Sequence, residues 1–229
     1  MSRALTIISS MAARLVLAEQ AGLYRLRRGV AVDLEAVGGV DAAKRVEAGE
    51  IFDVVVLSDT VISRLAEAGH LVRATVVPLA RSEVAAAVSK GAERPDIRSE
   101  SGLRNAVLAA KSVGYSTGPS GQHLLKVFEG WGIMAQIAGR IVQAPPGVPV
   151  GKLIVEGQVD LGFQQLSELI SLKGIDVLGL VPPPAQIMTV FCGVVGARSA
   201  RADEAAELLG FLAHPEHAGL YRRHGMDLP

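Results

Sequence analysis

Hydrophobic and polar positions in this chain switch repeatedly between a strand-like and a helix-like period. Leu5-Thr6-Ile7-Ile8-Ser9 is a short apolar run and predicts a strand. Ser10-Met11-Ala12-Ala13 then opens a helix to about Arg27, with Leu15, Leu17, Ala18, Ala21 and Leu23 on its buried side and Gly29 as its stop. Val30 to Val37 predicts a second strand, Gly38-Gly39 a tight turn, and Asp41 to Ala48 a helix. Asp53-Val54-Val55-Val56-Leu57 is almost wholly apolar, as expected of a strand buried on both faces. Ser58-Asp59-Thr60 caps the next helix, which ends at Gly69. Three successive strand–helix units predict a parallel α/β sheet.

The texture then changes. Val76 to Leu79 and Val84 to Val88 read as two extended pieces, and Gly91 to Arg98 as a loop. A helix over Ser101 to Ala110 leads to a strand over Ser112 to Tyr115. The next helix starts near Ser120 or Gly121 and runs to about Trp131; Gly132 to Val142 reads as a loop and a strand. After Ala144-Pro145-Pro146-Gly147 come a helix (Pro149 to Glu156), a buried strand (Val159 to Phe163) and a short helix from Gln165. Val177 to Val181 is extended, Pro182-Pro183-Pro184 forbids helix, and Thr189 to Val195 is a strand before two terminal helices. This order implies an α/β architecture of two lobes. Residues 1–81 and 188–229 form lobe I and 82–187 an inserted lobe II, with hinge crossings near 78–84 and 185–191. Such a hinge predicts a ligand cleft between the lobes.

Composition narrows the function. The chain has 229 residues, 49% hydrophobic but only 4% aromatic, so its core must be aliphatic. Lys and Arg number 23, as do Asp and Glu, and no basic stripe interleaved with aromatics appears, which argues against a nucleic-acid partner. No apolar run reaches the ~20 residues of a membrane helix, so no membrane insertion is expected. The single cysteine, Cys192, excludes an internal disulfide and lies in an apolar run that reads as core. Met1-Ser2-Arg3-Ala4 leads straight into the first strand, without the charged, apolar and cleavage regions of a leader. The expected compartment is the cytoplasm, or the periplasm if a leader was trimmed from the given start.

Candidate chemistry gathers at strand carboxyl ends, before helix starts, where open α/β sheets bind ligands. Gly114-Tyr115-Ser116-Thr117-Gly118-Pro119-Ser120-Gly121-Gln122 joins a strand to a helix; Ser116, Ser120 and the N–H groups near Gly121 and Gln122 suit an anion. Ser9, Ser10 and Met11 follow the first strand, Gly38 and Gly39 the second, and Ser58 the third. Arg14 either offers its planar fork to a carboxylate or lies solvated on an exposed face. Gln164 and Gln165 supply amides, one of them facing ligand, and Ser167 a hydroxyl. Glu168 is a base or a favourable charge at a helix start; His123 is an anion donor, a proton shuttle or a surface residue; Tyr115 is a third candidate for the base. His214, His217 and His224 read as surface, and no metal cluster is visible. No nucleophile elbow, P-loop or dinucleotide fingerprint occurs, and no cofactor is expected.

Val46-Glu47-Ala48-Gly49, Phe52-Asp53-Val54-Val55-Val56-Leu57-Ser58 and the ending His214-Pro215-Glu216 through Tyr221 to Gly225-Met226 resemble the type II periplasmic binding proteins. The molybdate-binding proteins of ABC transporters are the most similar group. The resemblance implies the two-lobe fold of that superfamily, each lobe a mixed or parallel sheet flanked by helices. The chain departs from molybdate binders at three side-chain hydroxyls: Ala12, Gly38-Gly39 and Gln164 or Gln165 stand where that group has Ser, a Ser-rich turn and Tyr. Ser9, Arg14, Pro119-Ser120-Gly121 and Gly162-Phe163-Gln164-Gln165-Leu166-Ser167-Glu168 instead resemble a divergent branch that includes aconitate isomerase. That branch implies an isomerase of an unsaturated di- or tricarboxylate. The alternative is a non-catalytic molybdate, tungstate or organic-anion binder serving an ABC permease.

Overall fold

The computed structural model describes residues 4–229; Met1–Arg3, on which the leader expectation partly rests, lie outside the described residues. The chain divides into two compact units. One runs up to Ser82 and resumes at Thr189–Pro229; the other is Glu83–Met188.

In order, the first unit opens with β1 (Leu5–Ser10), α1 (Arg14–Arg28), β2 (Val32–Val37), α2 (Gly39–Glu47), β3 (Val54–Ser58) and α3 (Asp59–Glu67). Strand β4 (Val77–Ser89) carries the chain into the second unit. There follow α4 (Glu100–Ala109), β5 (Val113–Tyr115), α5 (Pro119–Gly130), α6 (Met134–Ile137), β6 (Ile141–Gln143) and α7 (Val150–Val155). Next come β7 (Leu161–Gln165), α8 (Leu166–Leu169) and β8 (Ile175–Leu180), then β9 (Met188–Val195), α9 (Ala202–Leu212) and α10 (Ala218–Arg223).

In the first unit the strand order is β2-β1-β3-β9, with the opening part of β4 beyond. β1 pairs in parallel with β2 and β3, and β9 runs antiparallel to β3. Alternate side chains serve opposite faces. Leu5, Ile7, Val54 and Val56 pack with Val16 and Leu17 of α1, Leu208 and Leu209 of α9 and Tyr221 of α10. Ile8, Val55 and Leu57 pack with Ala42 and Val46 of α2 and Ile62 and Leu65 of α3. α1 stops because Gly29 adopts φ 72° and returns its N–H to the Arg25 carbonyl. Gln20, fully buried, donates Nε2–H to the Leu212 carbonyl and accepts from the Tyr221 hydroxyl, tying α1 to both terminal helices.

The second unit orders the later part of β4 with β7-β5-β6, and β8 pairs the other side of β4. β5 is parallel to β6 and β7, while β7 and β8 are antiparallel to β4. Gly114 of β5 and Gly162 of β7 stand directly opposite each other. A side chain at Gly114 would begin 3.0 Å from Val150 Cγ1, and one at Gly162 2.7 Å from that same atom. The two glycines therefore let the first turn of α7 settle close on the sheet. Past the three prolines, Gln186 pairs with Val84 as a strand residue would. Its Oε1 accepts from Val84 N–H (2.9 Å) and its Nε2–H donates to the carbonyls of Val84 (3.1 Å) and Val181 (3.0 Å).

Several local expectations are corrected. The two extended pieces at 76–79 and 84–88 are one thirteen-residue strand, because Arg81, Ser82 and Glu83 interrupt the apolar pattern without interrupting the backbone. Gly39 is the first residue of α2 rather than half of a turn. α6 lies in the stretch read as loop.

Asp53 holds the start of β3 to β1. It accepts from Thr6 N–H (2.9 Å), Thr6 Oγ1–H (3.1 Å) and Ser199 Oγ–H (2.6 Å). Burial raises its pKa, but these donors outweigh burial and hold it below the ordinary value. Asp53→Ala leaves three donors without an acceptor; it is expected to cost about 2–4 kcal/mol in urea unfolding at neutral pH.

Candidate functional site

In the first unit, parallel pairing brings the carboxyl ends of β1, β2 and β3 to one edge. Ser9 is fully buried and turns its hydroxyl to the Ser10 carbonyl (3.2 Å), so it serves the backbone rather than a ligand. Ser10 differs. Its Oγ is sealed within the protein and has no hydrogen-bond partner. Its Cβ lies 3.8 Å from where a side chain on Gly39 would begin, beside the start of α2. Gly38 is the N-cap of that helix and has no side chain to satisfy the first N–H groups.

Met11 is half-buried in the 3-10 turn Met11–Ala13 that precedes α1. Arg14, the first residue of α1, is exposed and makes no ion pair among the described residues. Ser58 is the buried N-cap of α3, but its side chain does not cap; Asp59 Oδ1 accepts from Thr60 N–H instead (2.7 Å).

In the second unit, the Gly114–Gln122 segment is rearranged relative to expectation. α5 starts at Pro119, with Gly118 as N-cap. The N–H groups of Gly121 and Gln122 both turn back to the Gly118 carbonyl (3.1 and 3.3 Å). They are engaged within the helix start and do not serve as anion donors. Gly121 is required for space: a side chain there would begin 1.9 Å from the Ser116 carbonyl oxygen. Gln122 is exposed. Ser116 and Ser120 remain paired, their hydroxyls 3.3 Å apart. Tyr115 ends β5 opposite Phe163 and is buried. His123 is partly buried, with its Nε2 sealed and unpartnered.

The densest chemistry lies where β7 passes into α8. Gln164 is buried with both ends of its amide engaged. Its Oε1 accepts from Val150 N–H at the start of α7 (2.8 Å), and its Nε2–H donates to Glu168 Oε1 (2.7 Å). Gln164 is therefore an internal brace, not the ligand-facing amide. Gln165 and Ser167 are buried in the same stretch. The N-cap of α8 is Gln165, whose side chain makes no capping bond, and Glu168 accepts through Oε1 from the Gln164 side chain. Burial pushes its carboxyl pKa up to about 7, against the lowering effect of the Gln164 hydrogen bond. A carboxyl group with that value can both take and return a proton near neutral pH.

Elsewhere, His217 corrects the surface reading of the C-terminal histidines. It is 4% exposed, with its ring 4.7 Å from that of Phe211, and burial lowers its pKa. Cys192 is buried in β9, and burial raises its thiol pKa. Among the described residues no group of three His, Cys, Asp or Glu side chains is placed to hold a metal ion. No helix there is long and apolar enough to cross a membrane.

With this arrangement established, relatives give it a context. The sequence pattern of the bacterial extracellular solute-binding proteins matches residues 5–227, and the chain belongs to that family. Its mixed α/β fold is that of the periplasmic solute-binding proteins. The Azotobacter vinelandii periplasmic molybdate-binding protein superposes with a TM-score of 0.81 over 98% of this chain and 99% of its own, at 19% identity. A sulfate-binding protein from Mycobacterium tuberculosis superposes with a TM-score of 0.80 over 98% of this chain and 86% of its own, also at 19% identity. In sequence, an aconitate isomerase from Pseudomonas sp is 32% identical over 227 residues, covering 97% of this chain and 87% of the relative.

The Glu168 shift has a stability consequence. Its folded value, about 7, lies above its ordinary 4.5, so the folded protein holds this proton more tightly than the unfolded chain. The contribution is full below about pH 4.5 and is lost as pH rises through 7. Urea unfolding at pH 5 and pH 8 is expected to show a stability difference that shrinks by roughly 2–3 kcal/mol in Glu168→Gln.

Proposed function

We propose that this chain isomerises an unsaturated di- or tricarboxylate by moving a proton. The observation that carries this reading is Glu168, a half-buried carboxyl group at a strand carboxyl end, held by the Gln164 amide (2.7 Å) and with its pKa pushed up to about 7 by burial. The aconitate isomerase relative supports the same substrate class. In the proposed reaction Glu168 takes a proton from a carbon allylic to a carboxylate. The electron pair of that C–H bond spreads over the allyl system and its carboxylate. The proton returns at the far carbon, so the double bond moves and nothing is gained or lost.

Negative charge develops during this transfer and must be met by donors already in place. Arg14 is assigned to a substrate carboxylate, which its fork can hold bidentately. Ser10 and the start of α2 are assigned to another anionic group. Ser116, Ser120, Gln165 and Ser167 are assigned as further donors. Tyr115 and His123 are the remaining candidates for the group that returns the proton.

A second reading, a non-catalytic oxyanion binder working with an ABC permease, is favoured by one specific observation. Ser10 offers a neutral, unpartnered hydroxyl beside a helix start, the kind of donor that suits an oxyanion. The molybdate- and sulfate-binding neighbours support it through fold alone.

Two measurements separate the readings. Thermal shift with cis-aconitate, trans-aconitate, citrate, molybdate and tungstate reports binding, and deuterium incorporation into the acids reports proton transfer. Both aconitates are expected to raise the melting temperature and to exchange. Glu168→Gln should retain binding and lose exchange by about 10²–10⁴-fold. Arg14→Ala should weaken carboxylate binding by about ten-fold or more. Stabilisation by molybdate alone, with no exchange of any acid, would sink the isomerase reading.

A further inference from the structure

We propose that Gln164 is a positioning residue for Glu168: its immobilised amide commits one carboxyl oxygen as an acceptor and leaves the other to carry the proton. This rests on the reading of Glu168 as the group that moves the proton.

The orientation of a glutamine amide is usually decided by weighing its neighbours, because its oxygen and nitrogen occupy similar positions. Here one neighbour decides alone. The main-chain N–H of Val150 can only donate, so the atom 2.8 Å away must be the amide oxygen. The NH2 end is then forced toward Glu168, where it stands 2.7 Å from Oε1. A carboxylic acid that accepts at Oε1 keeps its proton on Oε2. Gln164 is only 4% exposed, so water does not compete for its amide.

The geometry is set from further inside. Val150 begins α7, and its N–H reaches Gln164 only because that helix start lies close on β5 and β7. Gly114 and Gly162 make that approach possible, since a side chain at either would press on Val150 Cγ1. Two glycines in the sheet thus fix a main-chain donor, the donor fixes an amide, and the amide fixes the acid. Burial raises the Glu168 pKa and the Gln164 hydrogen bond opposes it, with no charged side chain acting on it among the described residues.

The test follows Glu168 itself. Its carboxyl infrared band, identified by difference against Glu168→Gln, is titrated in wild type, Gln164→Leu and Val150→Pro, and the pH profile of kcat/KM on cis-aconitate is recorded for each. Gln164→Leu removes the one donor to the carboxylate among the described residues, so its apparent pKa is expected to rise by about one unit or more. The acid limb of the profile should move to higher pH with it, whereas simple loosening of the fold would readmit water to Glu168 and move the limb to lower pH. Val150→Pro keeps Gln164 but deletes the N–H that orients it, at a first helical position that tolerates proline. A smaller shift in the same direction is expected. A folded Gln164→Leu protein whose Glu168 titrates as in wild type overturns the proposal. If Gln164→Leu does not fold, an unmoved titration in Val150→Pro overturns it equally. If wild type exchanges no substrate proton, the isomerase reading fails, and the titration shift still decides whether Gln164 governs Glu168.

Discussion

Burial of the central strands on both faces is the constraint from which the other features follow. β3 and β7 are buried at every residue, with helices packed above and below. A strand so enclosed has no lateral position at which a polar side chain can meet solvent or solute. Chemistry is displaced to the ends, where the backbone leaves the sheet and a helix begins. Ser9 and Ser10, Ser58, Ser116, and Gln164 to Glu168 all occupy such ends. Close helix packing then demands small residues beneath it, and the opposed pair Gly114 and Gly162 answers that demand.

Local periodicity made the larger elements legible. α1, with its glycine stop, and β3, with its continuous valines, follow from rules that involve near neighbours only. The errors share a different cause. β4 reads as two pieces because three polar residues resemble a loop when the partner strands are unknown. α6 spans four residues, too few for a helical period to register. The helix start reads as Ser120 or Gly121, although α5 begins at Pro119, where proline already has the φ of a first helical position. His217 looks like a surface residue until Phe211 is seen beside it. The buried contact between Gln20 and Tyr221 spans 201 residues and leaves no local trace.

The candidate site was legible to a similar depth. Residue types at strand ends pointed to an anion, and the resemblance narrowed the family. What escaped was the division of labour among those residues. Gln164 and Gln165 are equivalent on paper; Val150, fourteen residues before Gln164, and Glu168, four after it, distinguish them. Gly121 was assigned for its N–H, yet its role is to make room for a carbonyl. Glu168 could be weighed as base or cap from sequence, but the partial burial that raises its pKa is visible only in the packed structure. An acid that keeps its proton to about pH 7 also presents less repulsion to an anion than an ordinary glutamate would.

Gln186 carries a lesson about length rather than polarity. Its side chain supplies both an acceptor and a donor to Val84, replacing a peptide unit that the preceding proline run cannot provide. A main-chain group owes its reach to the course of the backbone, whereas this one owes it to two methylenes. Asparagine offers the same amide but stops one carbon short. At this position the chemically closest substitute is therefore a poor one, and the stretch from Pro182 to Gln186 behaves as a single ruler whose divisions cannot be changed independently.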